Sequence, residues 1–169
     1  MKKFWILFFG VLLSSGTVWA ATAKAFIDGT APDSKISGTV TLQDTTGGLL
    51  VEVHVQNAPP GLHGFHIHEK GDCAEMGDAA GGHYNPLGVK HGLVTKDGFS
   101  GAHAGDFGNM EVDRNGLGVL KIVIPELKVK DGPYPVNGRA VILHEKKDDF
   151  GQPTGNAGGR IACGVIQAD

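Results

Sequence analysis

The stretch Leu49-Leu50-Val51-Glu52-Val53-His54-Val55-Gln56 alternates without a break, with Leu49, Val51, Val53 and Val55 on one side and Leu50, Glu52, His54 and Gln56 on the other. Successive side chains of a strand point to opposite faces, so this period of two predicts a β-strand with one face in a core and the other toward water. A half-buried strand belongs to an antiparallel sheet, because parallel strands are covered on both faces. Outward from it, Lys24–Asp28, Lys35–Gln43, Leu62–His68, Leu117–Ile124, Arg139–His144 and Arg160–Ile166 share the enrichment in Val, Ile, Leu and Thr. Gly47-Gly48, Pro59-Pro60-Gly61 and Asn115-Gly116 supply turn signals between them. No segment carries a helical period, and the 27 glycines and 8 prolines suit many tight connections. The expected class is all-β, a sandwich or a closed barrel.

Two segments break the rhythm of short connections, Glu69–Asn109 and Glu145–Gly159. Loops of that length inside a compact domain are usually functional. With 169 residues and 41% hydrophobic side chains, the chain has enough material for one substantial core. Met1–Ala20 stands apart: Lys2 and Lys3 precede an apolar run from Phe4 to Leu13, then small residues and Val18-Trp19-Ala20. This reads as a cleaved secretory leader, with Ala23 as an alternative cleavage point, and leaves residues 21–169 as the domain. The apolar run is short for a spanning helix and no Cys follows the small residues, so neither a membrane anchor nor a lipid anchor is expected. Two lysines and a short apolar core suit bacterial export, which makes the periplasm the first expectation and the extracellular space the second.

Loss of Lys2 and Lys3 takes the 15 Lys and Arg to 13 against 18 Asp and Glu, a formal charge of −5. Nucleic acid is therefore not an expected partner, and an anionic substrate would need local positive charge at the site to reverse the overall field. The two cysteines, Cys73 and Cys163, sit in a chain addressed to an oxidising compartment, which favours one intramolecular disulfide over a thiol metal site. A closed loop on the order of 100 residues contributes roughly 4 to 5 kcal/mol in the chain-entropy picture.

Eight histidines are present, and His66, His68, His83, His91, His103 and His144 with Asp106 form a candidate donor set. Seven donors are one short of the number two four-coordinate ions need, unless one imidazole binds both through its two nitrogens. Such a bridge is an imidazolate, which two adjacent cations stabilise at neutral pH. His66 and His68, two apart in a strand, leave the same face and can chelate from a rigid support. His83, His91, His103 and Asp106 come at loop spacing, and three imidazoles with one carboxylate and no thiolate suit zinc. His144 ends its strand where it can meet His66 and His68, and an imidazole-only set suits copper. His54 lies on the polar face of its strand and is expected to be solvated. His63 has the opposite parity from His66 and His68, so a structural hydrogen bond is expected there.

Several longer motifs point to a family. Gly61-Leu-His-Gly-Phe-His-Ile-His-Glu69, Gly82-His-Tyr-Asn-Pro86, His103-Ala-Gly-Asp106, His144-Glu-Lys-Lys-Asp-Asp149 and Gly155-Asn-Ala-Gly-Gly-Arg-Ile-Ala-Cys-Gly164 together resemble the copper/zinc superoxide dismutases. The resemblance covers nearly the whole mature chain and looks most like secreted bacterial members. It implies an eight-stranded Greek-key β-barrel, an immunoglobulin-like sandwich architecture carrying two long functional loops. It implies copper on His66, His68, His83 and His144, zinc on His83, His91, His103 and Asp106, and one ion of each per subunit. It further implies that Asp148 hydrogen-bonds His66 and His91, and that Cys73 and Cys163 form the family disulfide. The implied substrate is the superoxide anion, converted to O2 and H2O2 as copper alternates between Cu(II) and Cu(I), with zinc fixing the bridging His83. Arg160 would hold and orient the anion, and the subunit is a monomer or a homodimer.

Two departures matter. The segment Phe150–Gly159 is shorter than in animal cytosolic members and lacks the charged residues that guide substrate there, so Lys70, Lys90, Lys96, Lys146 or Lys147 is expected to supply part of the attraction. The segments Ala74–Gly82 and Gly92–Ala102 look longer than in the animal enzymes, which leaves the zinc loop less constrained by the match than the copper ligands. A secreted metal carrier is the rival from another class, but a carrier gains little from Arg160 or from a shared His83.

Overall fold

The computed structural model describes residues 20–169, so residues 1–19, nearly the whole of the expected leader, lie outside it. The chain forms β1 (Thr22–Gly29), β2 (Ser37–Thr45), β3 (Gly48–Gln56), β4 (Gly61–His68), a 3-10 segment (Glu75–Ala80), a one-turn helix α1 (Val94–Asp97), β5 (Asp106–Val112) and β6 (Gly118–Ile124). The short β7 (Leu127–Lys128) and β8 (Tyr134–Pro135) precede β9 (Ala140–His144), β10 (Arg160–Val165) and β11 (Gln167–Ala168). The hydrogen-bonded order β10-β9-β4-β5-β6-β3-β2-β1 closes on itself through Asp28 opposite Cys163 and Gly29 opposite Ala162. The result is an eight-stranded antiparallel barrel without a free long edge. Neither β3–β4 nor β6–β9 are neighbours in this order, and those two crossings make the Greek key.

The strand that opened the sequence reading sets the register of the barrel. Leu49, Val51, Val53 and Val55 are buried while His54 and Gln56 face solvent. A slip of one residue would expel those aliphatics, each stabilising by roughly 1.5–3 kcal/mol when buried, and would carry Glu52 and His54 inside. The remaining inward positions, among them Ile27, Leu42, Phe65, Ile67, Phe107, Met110 and Leu143, fill one core.

One strand differs from expectation. Asp106–Asn109 falls in the first long loop by sequence, yet Asp106–Val112 is β5, paired to β4. Asp, Gly and Asn are poor strand formers, and a register shift between Gly64 and His66 puts Phe107 and Met110, three apart, into the same core. An alternation rule cannot find a strand whose parity changes part-way. The loop is correspondingly shorter, and it holds the 3-10 segment and α1, both too brief to show a period.

The face of β4 and β9 that looks away from the core is also buried. Phe65, Ile67, Val141 and Leu143 point inward, while His66, His68, Ala140 and Ile142 point outward under the two long loops. A second small apolar cluster of Ala80, Ala140, Ile142 and Cys163 seats the first loop there. The Cys73–Cys163 disulfide, across 90 residues, ties that loop to β10.

Candidate metal centre

The site lies between the outer face of β4 and β9 and the loops that cover it. His66 and His68 leave β4 on the same side, and the end of β9 brings His144 beside them, its Nε2 3.3 Å from His68 Nε2. His83 reaches the group because its segment runs antiparallel to the end of β4: Glu69 N–H donates to Gly82 O, Tyr84 N–H to Ile67 O, and His68 and His83 form a bridge. Asp106 opens β5 opposite His66. His91 and His103 come from the loop, and Asp106 Oδ2 accepts the backbone N–H groups of Gly92 and His103 at 3.0 and 2.9 Å. One carboxylate thus fixes two turns of the loop.

Two four-donor clusters result. In His66, His68, His83 and His144, and in His83, His91, His103 and Asp106, the donor atoms lie within 4.8 Å of one another, and every member is buried. His83 belongs to both. Its Nδ1 is 2.8 Å from Asp106 Oδ1, which leaves Nε2 for the four-imidazole cluster.

The second nitrogens are held by groups outside the clusters. His68 Nδ1–H donates to Gly81 O at 2.9 Å, His66 Nε2 lies 2.8 Å from Asp148 Oδ2, and His91 Nε2 lies 3.0 Å from either oxygen of Asp148. Asp148 in turn accepts from Phe150 N–H, while its peptide N–H and C=O are gripped by the Asn109 amide at 2.7 and 2.9 Å. Gly155, at φ 80°, passes so close to the Asp148 carboxylate that any Cβ there would collide with it, which is why the loop needs glycine.

Two atoms reveal what the clusters lack. His66 Nδ1 and His91 Nδ1 are buried with no hydrogen-bond partner, although His91 Nδ1 is only 2.9 Å from Asp106 Oδ2. That spacing without hydrogen-bond alignment describes two ligand atoms converging on a common point. The facing Nε2 atoms of His68 and His144 tell the same story. Buried polar atoms are nearly always paired, so these converging donors call for cations.

Proton affinities agree. Burial, with repulsion from His66 and His83, pushes His144 down to about 3, and burial with repulsion from His66 takes His83 to about 4 against the pull of Asp106. Burial and the neighbouring His83 and Arg160 drive His68 far below the imidazole range. For His91, burial lowers the affinity, but Asp106 and Asp148 together outweigh it and raise the ring to about 9. Burial alone would raise Asp106 and Asp148; the imidazoles of His103, His83 and His91 hold the first far below the carboxylate range, and those of His66 and His91 the second. At neutral pH His68, His83 and His144 are therefore unprotonated, whereas the second cluster holds a proton on His91 that a cation must displace.

Arg160 starts β10 opposite His144. Its Nη1 donates to Gly77 O and its Nη2 to Gly81 O, both at 2.6 Å, so Gly81 O serves Arg160 and His68 together. Gly81, at φ 72°, turns its carbonyl to that shared position. The guanidinium also has the exposed Asp78 carboxylate 3.5 Å from Nε. Burial lowers the guanidinium's proton affinity and Asp78 raises it, and it stays a permanent cation.

Residues 36–166 match the copper/zinc superoxide dismutase family. The chain belongs to that family. It is 34% identical to "Superoxide dismutase [Cu-Zn] 2" of Aquifex aeolicus (strain VF5), over 99% of this chain and the whole of the relative. The crystal structure of the clock protein EA4 superposes with a TM-score of 0.76 at 37% identity, covering 90% of this chain and 97% of that one. The two metals of the family fit the donors: imidazoles alone suit copper, and imidazoles with a carboxylate and no thiolate suit zinc.

The six candidate histidines, Asp106, Asp148 and Arg160 come together in this region, and neither of the two histidines set aside joins a donor cluster. His54 is exposed on β3; His63 is buried with its ring nitrogens 2.8 Å from His144 O and from Pro59 O, a structural role. Sequence reading missed Asn109 and Gln152. Each is an ordinary amide with no fixed spacing to the residue it grips, so no local signal marks it.

Proposed function

We propose that this protein is an exported superoxide dismutase, with copper held by His66, His68, His83 and His144 and zinc by His83, His91, His103 and Asp106. The reading is carried by His83, the one ring that belongs to both clusters. A carrier needs two separate pockets at most, whereas a shared imidazole couples the proton affinity of one cluster to the charge in the other. Bound copper supplies the one-electron couple that takes one superoxide to O2 and a second to H2O2, and bound zinc supplies a fixed positive charge.

The chain's own groups do the rest. Arg160, held by two backbone carbonyls, presents its remaining N–H groups and its charge to the incoming anion beside His68 and His144. The product takes up two protons, and His83 Nε2 is the nitrogen placed to hold one of them, since Nδ1 is committed to the Asp106 side. Asp148 keeps His66 and His91 in one tautomer and orientation, with Nδ1 of each directed into its cluster.

The leader Met1–Ala20 directs residues 21–169 to the periplasm, with the extracellular space as the alternative; the lysines of the leader and the cysteines of the domain support this reading. Among the described residues no helix is long and apolar enough to cross a membrane. Purified protein with copper and zinc quantified should contain about one of each per chain and consume superoxide. Bound copper without dismutation would make it a carrier instead.

A further inference from the structure

Beyond Asp149 the loop leading to Arg160 has no charged residue. What it does instead is converge on His91. The Asp148 carboxylate meets the ring at Nε2, the Phe150 ring lies 20° from parallel to it with centroids 6.4 Å apart, and the Gln152 amide takes hold of the peptide. Gln152 Oε1 accepts from His91 N–H at 3.1 Å, and Gln152 Nε2 donates to His91 O at 2.9 Å. Among the described residues neither group has a backbone partner. His91 belongs to no strand or helix, so this side chain replaces the sheet neighbour that fixes His66, His68 and His144.

We propose that Gln152 is a positioning residue for the zinc cluster, setting zinc affinity by fixing the His91 peptide so that Nδ1 stays aimed at Asp106 and His103. The proposal rests on the assignment of zinc to this cluster. The amide can satisfy both groups in one orientation only, oxygen toward N–H and nitrogen toward C=O, and so fixes the peptide plane as well as its place. Among the described residues the Gln152 side chain hydrogen-bonds no other cluster member, so its effect should fall on one metal.

The test withdraws zinc from the fully loaded, disulfide-intact protein with a chromophoric chelator, and copper in parallel with a copper-selective one. Q152L, which keeps the length and loses both hydrogen bonds, should weaken zinc by about tenfold, the lower end of what partners beyond the ligands contribute. Its copper affinity should stay within about twofold of wild type, and cobalt placed in the zinc cluster should show shifted visible bands. Q152E keeps the acceptor and loses the donor, so it should fall between the two and serves if Q152L folds poorly. Zinc affinity unchanged in both variants, or zinc and copper weakened equally, overturns the proposal. Wild-type protein that takes up no zinc, or H103A protein that binds zinc like wild type, overturns the cluster assignment itself and the proposal with it.

Discussion

The two clusters share His83 and differ in what holds the other ligands. His66, His68 and His144 ride on β4 and β9, strands whose opposite faces are locked into the barrel core. His91 and His103 ride on a loop, and only Asp106 there belongs to a strand. The first cluster is consequently prepared by the fold, and burial keeps His68, His83 and His144 unprotonated. The second depends on a network of side chains, Asp106, Asp148 and Gln152, that fix loop peptides and leave His91 with a raised proton affinity. A redox ion suits the rigid site and a structural ion suits the site that closes around it.

Splitting the clusters tests that contrast most strongly. H144A removes an imidazole that only the first cluster uses, so copper and dismutation should be lost while zinc remains. H103A should do the reverse, losing zinc and keeping copper with reduced activity. Elemental analysis with a superoxide assay reads both, and full activity in H144A would contradict the site. Within the same region, R160A should keep both metals and slow turnover by roughly 10- to 100-fold, the scale of a lost charge-assisted hydrogen bond to the substrate. A variant with both metals and wild-type rate would remove Arg160 from the mechanism.

The same contrast explains what could be read from the sequence. The rigid half was legible, because a period of two exposes Leu49–Gln56 and puts His66 and His68 on one face without knowledge of the fold. The loop half was legible only through its donors and its resemblance to a family, since His83, His91 and His103 obey no period. β5 escaped because a register shift beside His66 breaks its alternation, and Asn109 and Gln152 escaped because their partners are backbone groups far along the chain. Barrel closure was legible only as one alternative of the strand pattern and through the family resemblance, because it depends on β1 meeting β10 across more than a hundred residues.

Proton release should separate the clusters at a finer scale. His91, raised to about 9, is protonated at pH 7, so zinc entering metal-free H144A protein should displace about one proton. Its apparent affinity should then rise about tenfold per pH unit through neutrality and level off near pH 9. Copper entering H103A protein meets His83 at about 4 and His144 at about 3, already neutral, and should release almost none. Titration calorimetry in buffers of different ionisation enthalpy counts these protons; equal release by the two metals would mean that Asp106 and Asp148 do not hold His91 charged.

The smallest effect concerns the approach of the anion. A formal charge of −5 over residues 21–169 and the exposed Asp78 beside Arg160 both oppose a negative substrate, and the short 150–159 loop offers no lysine to compensate. Lys146 and Lys147 lie two and three residues after His144 and are exposed, which places two cations close along the chain to the β9 end of the site. Exposed charges act over about a Debye length, roughly 8 Å at physiological ionic strength, and weaken with salt. K146Q and K147Q should therefore lower the bimolecular rate by about twofold each at low salt and by less at high salt, while D78N should raise it with the same salt trend. Rates that change equally at all salt concentrations would point to a contact with the bound anion, and unchanged rates would mean that Arg160 alone draws the substrate in.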